Sequence, residues 1–100
     1  MECPVKQKLS DVLNKLKTIE SQLKERYHVS RIGVFGSVAR GDNTETSDID
    51  LYVELEEPIG FDFVLLGDEL EAELGTKVDI ADREMLRRLW PYIQDDLVYA

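Results

Sequence analysis

The sequence contains a single cysteine and a single histidine among its 100 residues. Cys3 has no partner for an internal disulfide, and one thiol with one imidazole provides too few ligands for a zinc site of the usual nitrogen and sulfur type. Any metal ion must therefore be held by carboxylates, which are the ligands that hard cations such as Mg²⁺ prefer.

Long apolar runs are absent as well. No stretch approaches the roughly 20 apolar residues that a helix needs to cross a bilayer. The segment from Met1 to Lys8 has no hydrophobic stretch before a small-residue cleavage site, so a signal peptide is not expected. The sequence therefore predicts a cytoplasmic location without membrane association.

Positive charge is scarce. The chain has 12 Lys and Arg residues against 21 Asp and Glu residues, which gives a formal net charge of −9. Direct nucleic-acid binding is not expected, because affinity for a phosphate backbone depends on Lys and Arg. Two possibilities remain open, a small anionic substrate that arrives with a divalent cation and a basic protein partner attracted by the acidic surface.

The pattern of apolar residues predicts one α/β domain over residues 1–100, since a chain of this length rarely divides into two domains. Apolar residues recur at helical spacing in some segments and alternate with polar residues in others. The pattern predicts helices over residues 10–27, 37–41, 61–74, 82–89 and 92–98, and strands over residues 31–35, 49–55 and 77–81. This order indicates a small sheet covered by helices.

A Gly-Ser pair follows the first predicted strand. Gly36 allows the backbone to turn sharply and to approach a ligand closely. Ser37 then lies at the start of a short helix, where free N–H groups, the helix dipole and its own hydroxyl favour an anion. The pair is a candidate phosphate-binding turn, although such a pair alone is a weak signal.

Three aspartates form the candidate catalytic and metal site. Asp48 and Asp50 are two residues apart at the start of the second predicted strand, so their side chains are expected on one face of the sheet. Asp79 lies between Val78 and Ile80 in the third strand, on the face opposite to both. If the two strands are neighbours, the three carboxylates can hold Mg²⁺, with two ions expected, and Asp79 can help to deprotonate a nucleophile.

Each of these residues also has a plain structural interpretation. Asp48 could bond the local backbone in a turn, and Asp79 could be an exposed strand residue or pair with Lys77. Gly36 and Ser37 could form an ordinary helix cap. Arg40 is placed either to reach nucleotide phosphates or to form a salt bridge with Asp42 or Glu45, and the sequence does not separate the two. The combination of a Gly-Ser turn, paired acids and a third acid favours the functional interpretation.

Two features near the C-terminus are less specific. Arg83, Arg87 and Arg88 form the one basic cluster, which is most simply the solvated side of a helix, with phosphate or acidic-partner binding as the alternative. The aromatic residues Trp90, Tyr92 and Tyr99 have no accompanying basic platform, so we expect core or partner contacts.

The run Gly36-Ser-Val-Ala-Arg-Gly41, followed by Ser47-Asp-Ile-Asp-Leu51, resembles the motif of the polymerase-beta-like nucleotidyltransferase superfamily. In particular it is similar to the stand-alone minimal nucleotidyltransferase (MNT) domains. The resemblance implies a three-stranded mixed sheet with flanking helices. It also implies that Asp48, Asp50 and Asp79 are metal-binding and catalytic acids, and that Gly36 and Ser37 contact the nucleotide phosphates.

The same resemblance implies a function. Many MNT domains accompany a HEPN-type toxin and act as its antitoxin by moving AMP from ATP onto a tyrosine of the toxin. Two alternatives stay open. One is a non-catalytic antitoxin that acts by occlusion, and the other is nucleotidyl transfer to a small molecule such as an aminoglycoside, a class that usually adds a second domain.

Overall fold

A computed structural model describes residues 8–44 and 46–100. Cys3 and Glu45 lie outside the described residues, as does most of the N-terminal segment in which no signal peptide was expected. The elements in chain order are α1 (Leu9–Tyr27), β1 (Val29–Phe35), α2 (Gly36–Arg40), β2 (Ile49–Leu55), α3 (Asp62–Leu74), β3 (Val78–Ala81), α4 (Trp90–Ile93) and β4 (Val98–Tyr99). The four strands form one mixed sheet in the order β3-β2-β1-β4. The predicted α/β class is confirmed.

Helix α1 forms because its apolar residues return to one side every three or four positions. Val12, Leu16, Ile19 and Leu23 are buried, and charged residues between them face solvent. The helix ends at His28, which adopts a left-handed conformation with φ 59° and donates its backbone N–H to the carbonyls of Leu23 and Lys24. The predicted helix over residues 10–27 is therefore confirmed.

The alternation of β2 divides the molecule into two sides. Leu51 and Val53 are fully buried in the main core, which helices α1 and α3 cover. The intervening residues Asp50 and Tyr52 consequently point to the opposite face of the sheet. Tyr52 belongs to a second, smaller cluster on that face, together with Ala81. The helices therefore cover one face of β2, and the candidate site lies on the other face.

The sheet has a fourth strand that the sequence did not predict. Residues 92–98 were expected to be helical, but α4 ends at Ile93, and β4 pairs with β1 in antiparallel orientation, Gly33 opposite Tyr99. The Tyr99 hydroxyl donates to Glu54 Oε2 at 3.2 Å, and the Arg31 guanidinium lies 3.5 Å above the Tyr99 ring. These long-range contacts fix a strand of two residues, too short to show a period of its own, so the predicted three-stranded sheet is corrected to four strands.

The predicted helix over residues 82–89 is a succession of turns. Asp82 does cap the first one, since its Oδ1 accepts the backbone N–H of Met85 at 2.9 Å. The bonds that follow, from Arg87 to Glu84 and from Leu89 to Leu86, span three residues instead of four. Leu86 alone is buried in this stretch, so no continuous apolar stripe stabilises a regular α-helix.

No helix in the part of the chain that the structure describes is long and apolar enough to cross a membrane.

Candidate active site

The turn between β1 and α2 brings the backbone against a carboxylate. Gly36 has φ +74°, and a Cβ added to it would collide with Asp50 Oδ2 and lie 3.2 Å from Asp50 Cγ. Both the left-handed backbone and the lack of space therefore require glycine here. Ser37 follows directly and is partly exposed, while its backbone carbonyl accepts the N–H of Gly41 at 2.9 Å and closes α2.

Asp50 and Asp79 lie directly opposite each other on the neighbouring parallel strands β2 and β3. Both project from the face that α1 and α3 leave uncovered, because Leu51 and Val78 on either strand pack into the main core. Lys77 forms no ion pair with Asp79 among the described residues, so the structure does not support that structural role for Asp79. The two strands thus place one carboxylate beside another without a cationic partner between them.

Asp48 lies one residue before β2 and is exposed. Its charge and that of Asp79 both act on Asp50. Burial is the main cause that raises the pKa of the half-buried Asp50 carboxyl above its ordinary value, and the neighbouring charges of Asp79 and Asp48 raise it further, while Arg40 lowers it. The charges of Asp48 and Asp79 are therefore close enough to disfavour the ionised form of Asp50.

The carboxylates do not, however, converge into a ligand shell. Among residues 8–44 and 46–100, no group of three or more His, Cys, Asp or Glu side chains is placed to hold an ion. The carboxylates can raise the pKa of Asp50 without forming a ligand shell, because Coulomb repulsion acts over several ångströms whereas a metal–oxygen bond spans about 2.0–2.6 Å. Three carboxylates on one side of the sheet are the donor set that suits a hard divalent cation. All three acids fit such an ion by donor type, and Asp50 and Asp79 do so also by strand position.

Arg40 at the end of α2 is held by two carboxylates. Its Nε donates to Asp42 Oδ2 at 3.1 Å, and one terminal nitrogen donates to Asp96 Oδ2 at 2.9 Å. These hydrogen bonds raise the pKa of Arg40. The pairing with Asp42 is one of the two arrangements that the sequence left open, whereas the contact with Asp96 was missed. No local pattern could have indicated it, since the two residues are 56 positions apart.

An aromatic cluster continues the face that carries Asp50. The buried Tyr52 ring lies 5.0 Å from the Trp90 ring and 6.3 Å from the Tyr99 ring, measured between centroids. Burial, reinforced by Glu54, raises the pKa of Tyr52 to about 12. The core contacts predicted for Trp90 and Tyr99 are confirmed, whereas Tyr92 is exposed.

A cavity of about 490 Å³ lies beyond the ends of β2 and β3 and not at the three acids. Residues 52–58 and 82–84 line it. Its position is a consequence of the fold, because the acids are at the start of β2 and the cavity is at the other end of the same strand.

Comparisons with known proteins bear on the family and the fold. The model of the family described as "Nucleotidyltransferase domain" matches residues 16–100. The relative "Putative protein adenylyltransferase MJ1379" of Methanocaldococcus jannaschii is 39% identical over 99 residues, which cover 92% of this chain and 97% of the relative. "Protein adenylyltransferase MntA" of Thermococcus cleftensis is 40% identical over 80 residues, 79% of this chain and 81% of that protein.

Two solved structures are similar as well. "Structure of putative minimal nucleotidyltransferase" superposes with a TM-score of 0.75 and 35% identity, over 92% of this chain and 95% of that one. "Crystal structure of the toxin-antitoxin with AMP-PNP" gives a TM-score of 0.58 and 27% identity, over 72% of this chain and 59% of that chain.

Proposed function

The chain belongs to the nucleotidyltransferase domain family and is a nucleotidyltransferase, and on this basis we propose that it moves AMP from ATP onto a tyrosine of a HEPN-type toxin with the aid of Mg²⁺. One observation carries the proposal. Asp50 faces Asp79 across two parallel strands, and the Gly36 turn is packed against the Asp50 carboxylate. A phosphate held at that turn would therefore lie beside the acids.

Asp48, Asp50 and Asp79 would hold Mg²⁺, with two ions expected from the number of carboxylates. When bound, the metal neutralises charge on the triphosphate and makes the α-phosphorus more electrophilic. A cation would favour the ionised form of the half-buried Asp50, which burial and its neighbours otherwise disfavour.

The residues of the turn would hold the nucleotide. Gly36 has no side chain of its own to keep a phosphate from the backbone, and the partly exposed Ser37 hydroxyl can donate to a phosphate oxygen. Arg40 would bind the triphosphate after exchanging one of its two carboxylate partners for it. Its side chain is about half exposed, so such an exchange needs no rearrangement of the core.

In the proposed reaction the hydroxyl oxygen of the acceptor tyrosine forms a bond to the α-phosphorus of ATP. The bond from that phosphorus to the oxygen bridging the β-phosphate breaks, and pyrophosphate leaves with the electron pair. The hydroxyl proton passes to the carboxylate of Asp79, which is exposed and so accessible to a protein acceptor. The product is a tyrosyl phosphodiester of AMP.

The relatives and the charge of the chain support the proposed partner. One similar protein is named MntA, a protein adenylyltransferase, and one similar structure is a toxin–antitoxin with AMP-PNP. A net charge of −9 favours encounter with a basic surface. Because the reaction consumes ATP, we further propose that it takes place in the cytoplasm.

The test is transfer from ATP labelled at the α-phosphate to a co-purified HEPN-type partner, with the labelled residue located by mass spectrometry. Asp50→Asn should abolish labelling, while Asp95→Asn, which removes an exposed carboxylate elsewhere, should leave it unchanged. Absence of label on any partner tyrosine contradicts the proposal. If Asp50→Asn still silences the toxin as well as the unaltered chain does, occlusion is the mechanism of inhibition.

A further inference from the structure

The described part of the chain exposes six large apolar side chains, and they form two groups of three. Phe61, Val64 and Leu65, which we call the α3 patch, are 77%, 54% and 46% exposed. Met85, Leu89 and Tyr92, which we call the 85–92 patch, are 61%, 54% and 78% exposed. Single exposed apolar residues are ordinary, but clustered ones on one side of an element indicate a contact surface.

The α3 patch is one side of a helix. The backbone N–H of Val64 donates to the Phe61 carbonyl at 3.0 Å, so Phe61 already belongs to the helical turn. Positions 61, 64, 65 and 68 share a side at helical spacing. The exposed Asp68 lies at the end of that side, and the exposed Asp62 lies at its start. Neither carboxylate forms an ion pair among the described residues. The α3 patch is thus apolar with an acidic border.

The 85–92 patch has the opposite border. Each of its members is exposed and directly precedes a residue that packs in the second cluster, Leu86, Trp90 or Ile93, so all three lie on the solvent side of this segment. Arg87 and Arg88 are exposed beside it. Arg87 reaches only the highly exposed Glu84, at 3.3 Å, and Arg88 forms no ion pair in the described ranges.

The two patches lie on opposite sides of the sheet edge that β3 forms. Helix α3 packs on one face of β3, where a Cβ added to Gly67 would lie 3.5 Å from Ile80 Cδ1. The segment after β3 crosses to the other face, where Leu86 packs with Ala81. Within the described residues β3 pairs with β2 alone, so its other side is a free edge.

From this arrangement we propose that two copies of the chain associate about a two-fold axis beside β3, with the α3 patch of each copy on the 85–92 patch of the other. Charge complementarity identifies the occupant. The basic-bordered 85–92 patch is complementary to an acidic-bordered apolar surface, and the α3 patch across the same edge is such a surface. A two-fold axis satisfies both patches of both copies at once.

The contact leaves Asp48 and Asp50 uncovered. Helix α3 leads into the start of β3 and so runs antiparallel to it. Because Gly67 of α3 lies against Ile80, the earlier residues 61–65 lie further along the direction of β3, beyond Ile80. The 85–92 patch follows the end of β3. Asp48 and Asp50 are at the start of β2, at the other end of the parallel pair. The proposed contact surface is therefore separate from the start of β2, where Asp48 and Asp50 lie.

The test is sedimentation equilibrium of the whole chain from micromolar to submillimolar concentration. We expect a reversible equilibrium between 11.5 kDa and twice that mass. Leu65→Lys places a positive charge in the α3 patch against Arg87 and Arg88, and Leu89→Glu places a negative charge against the acidic border. Each should weaken self-association at least tenfold, while Gln22→Lys and Gln22→Glu on the exposed side of α1 make the same charge changes and should not.

Mixing the two variants is the decisive measurement. In the mixed pair one contact joins two unaltered patches and the other joins the new Lys to the new Glu, so the mixture should associate more tightly than either variant alone. Circular dichroism and unchanged melting temperatures confirm that the variants are folded. A mixture no tighter than its components, or an unaltered chain that stays at 11.5 kDa throughout, overturns the proposal and leaves a different protein as the occupant of the patches.

Discussion

Replacing Asp79 by asparagine removes one of two facing carboxylates at almost constant side-chain volume. Neighbouring strands are about 4.8 Å apart, and two unit charges about 5 Å apart repel by about 0.8 kcal/mol in water and about 3 kcal/mol at an effective dielectric constant of about 20. Asp79 is exposed and Asp50 half-buried, so a value near the lower limit applies. We expect Asp79→Asn to raise the free energy of unfolding of the metal-free protein by about 1 kcal/mol, or its melting temperature by about 4–8 °C.

A double-mutant cycle isolates the repulsion from other effects of the substitution. Asp79→Asn should stabilise the chain less when Asp50 is already asparagine, because the facing charge is then gone. Urea unfolding in the presence of a chelator gives the four free energies. Glu20→Gln, which changes the net charge equally on the exposed side of α1, should add to Asp50→Asn without coupling.

Added Mg²⁺ reverses the order of stability. Binding to the native state alone stabilises a protein in proportion to the logarithm of ligand concentration over Kd. The unaltered chain should therefore gain melting temperature with Mg²⁺, and Asp79→Asn should gain little and transfer no AMP, because an amide is a poor ligand for a hard cation. A folded Asp79→Asn protein that is less stable without metal, or that retains full transfer, refutes the three-acid site.

Four further outcomes are expected. Ser37→Ala should weaken binding of ATP with Mg²⁺ by about 1.5–3 kcal/mol in calorimetry, since one donor to an ionised phosphate is lost, and an unchanged affinity removes Ser37 from the site. Gly36→Ala should lower the melting temperature and abolish transfer, because the new methyl group meets the Asp50 carboxylate at a left-handed backbone position; a stable, active variant would contradict this. Affinity for the toxin partner should fall with added salt, which screens the acidic surface, whereas a flat dependence points to an apolar contact. Burial raises the pKa of Tyr52 to about 12 in the folded chain, so the unfolded chain releases this proton first, near pH 10. The free energy of unfolding should therefore fall between pH 10 and pH 12, and it should fall less in Tyr52→Phe.

The elements that the sequence predicts well are those with a complete local pattern. Strand β2 has the predicted bounds, because its alternation runs without interruption between two polar turns. Helix α1 differs from its prediction by one residue, since a buried stripe of four turns leaves little freedom. Strand β4 has two residues and exists through its pairing with β1, so its own sequence carries no period to detect.

The candidate site likewise combines features set by a local pattern with features set by long-range contacts. The placement of Asp50 and Asp79 on the uncovered face could be predicted, because each alternates with residues that enter the core. Their register could not be predicted from local pattern alone, since it depends on how β3 aligns with β2. The Arg40–Asp96 pair was beyond prediction for the same reason, because it joins segments that only the folded sheet brings together.

Core packing is what specifies the register of the acids. Val78 enters the main core on one side of β3 and Ala81 enters the second cluster on the other. A slip of β3 by one residue would turn Asp79 towards the helices and expose Val78, because successive side chains point to opposite faces. A slip by two residues would restore the faces but move Ala81 away from Tyr52, its partner in the ladder. The apolar residues on both faces therefore hold Asp79 against Asp50, and the burial of the core offsets the repulsion that this pairing creates.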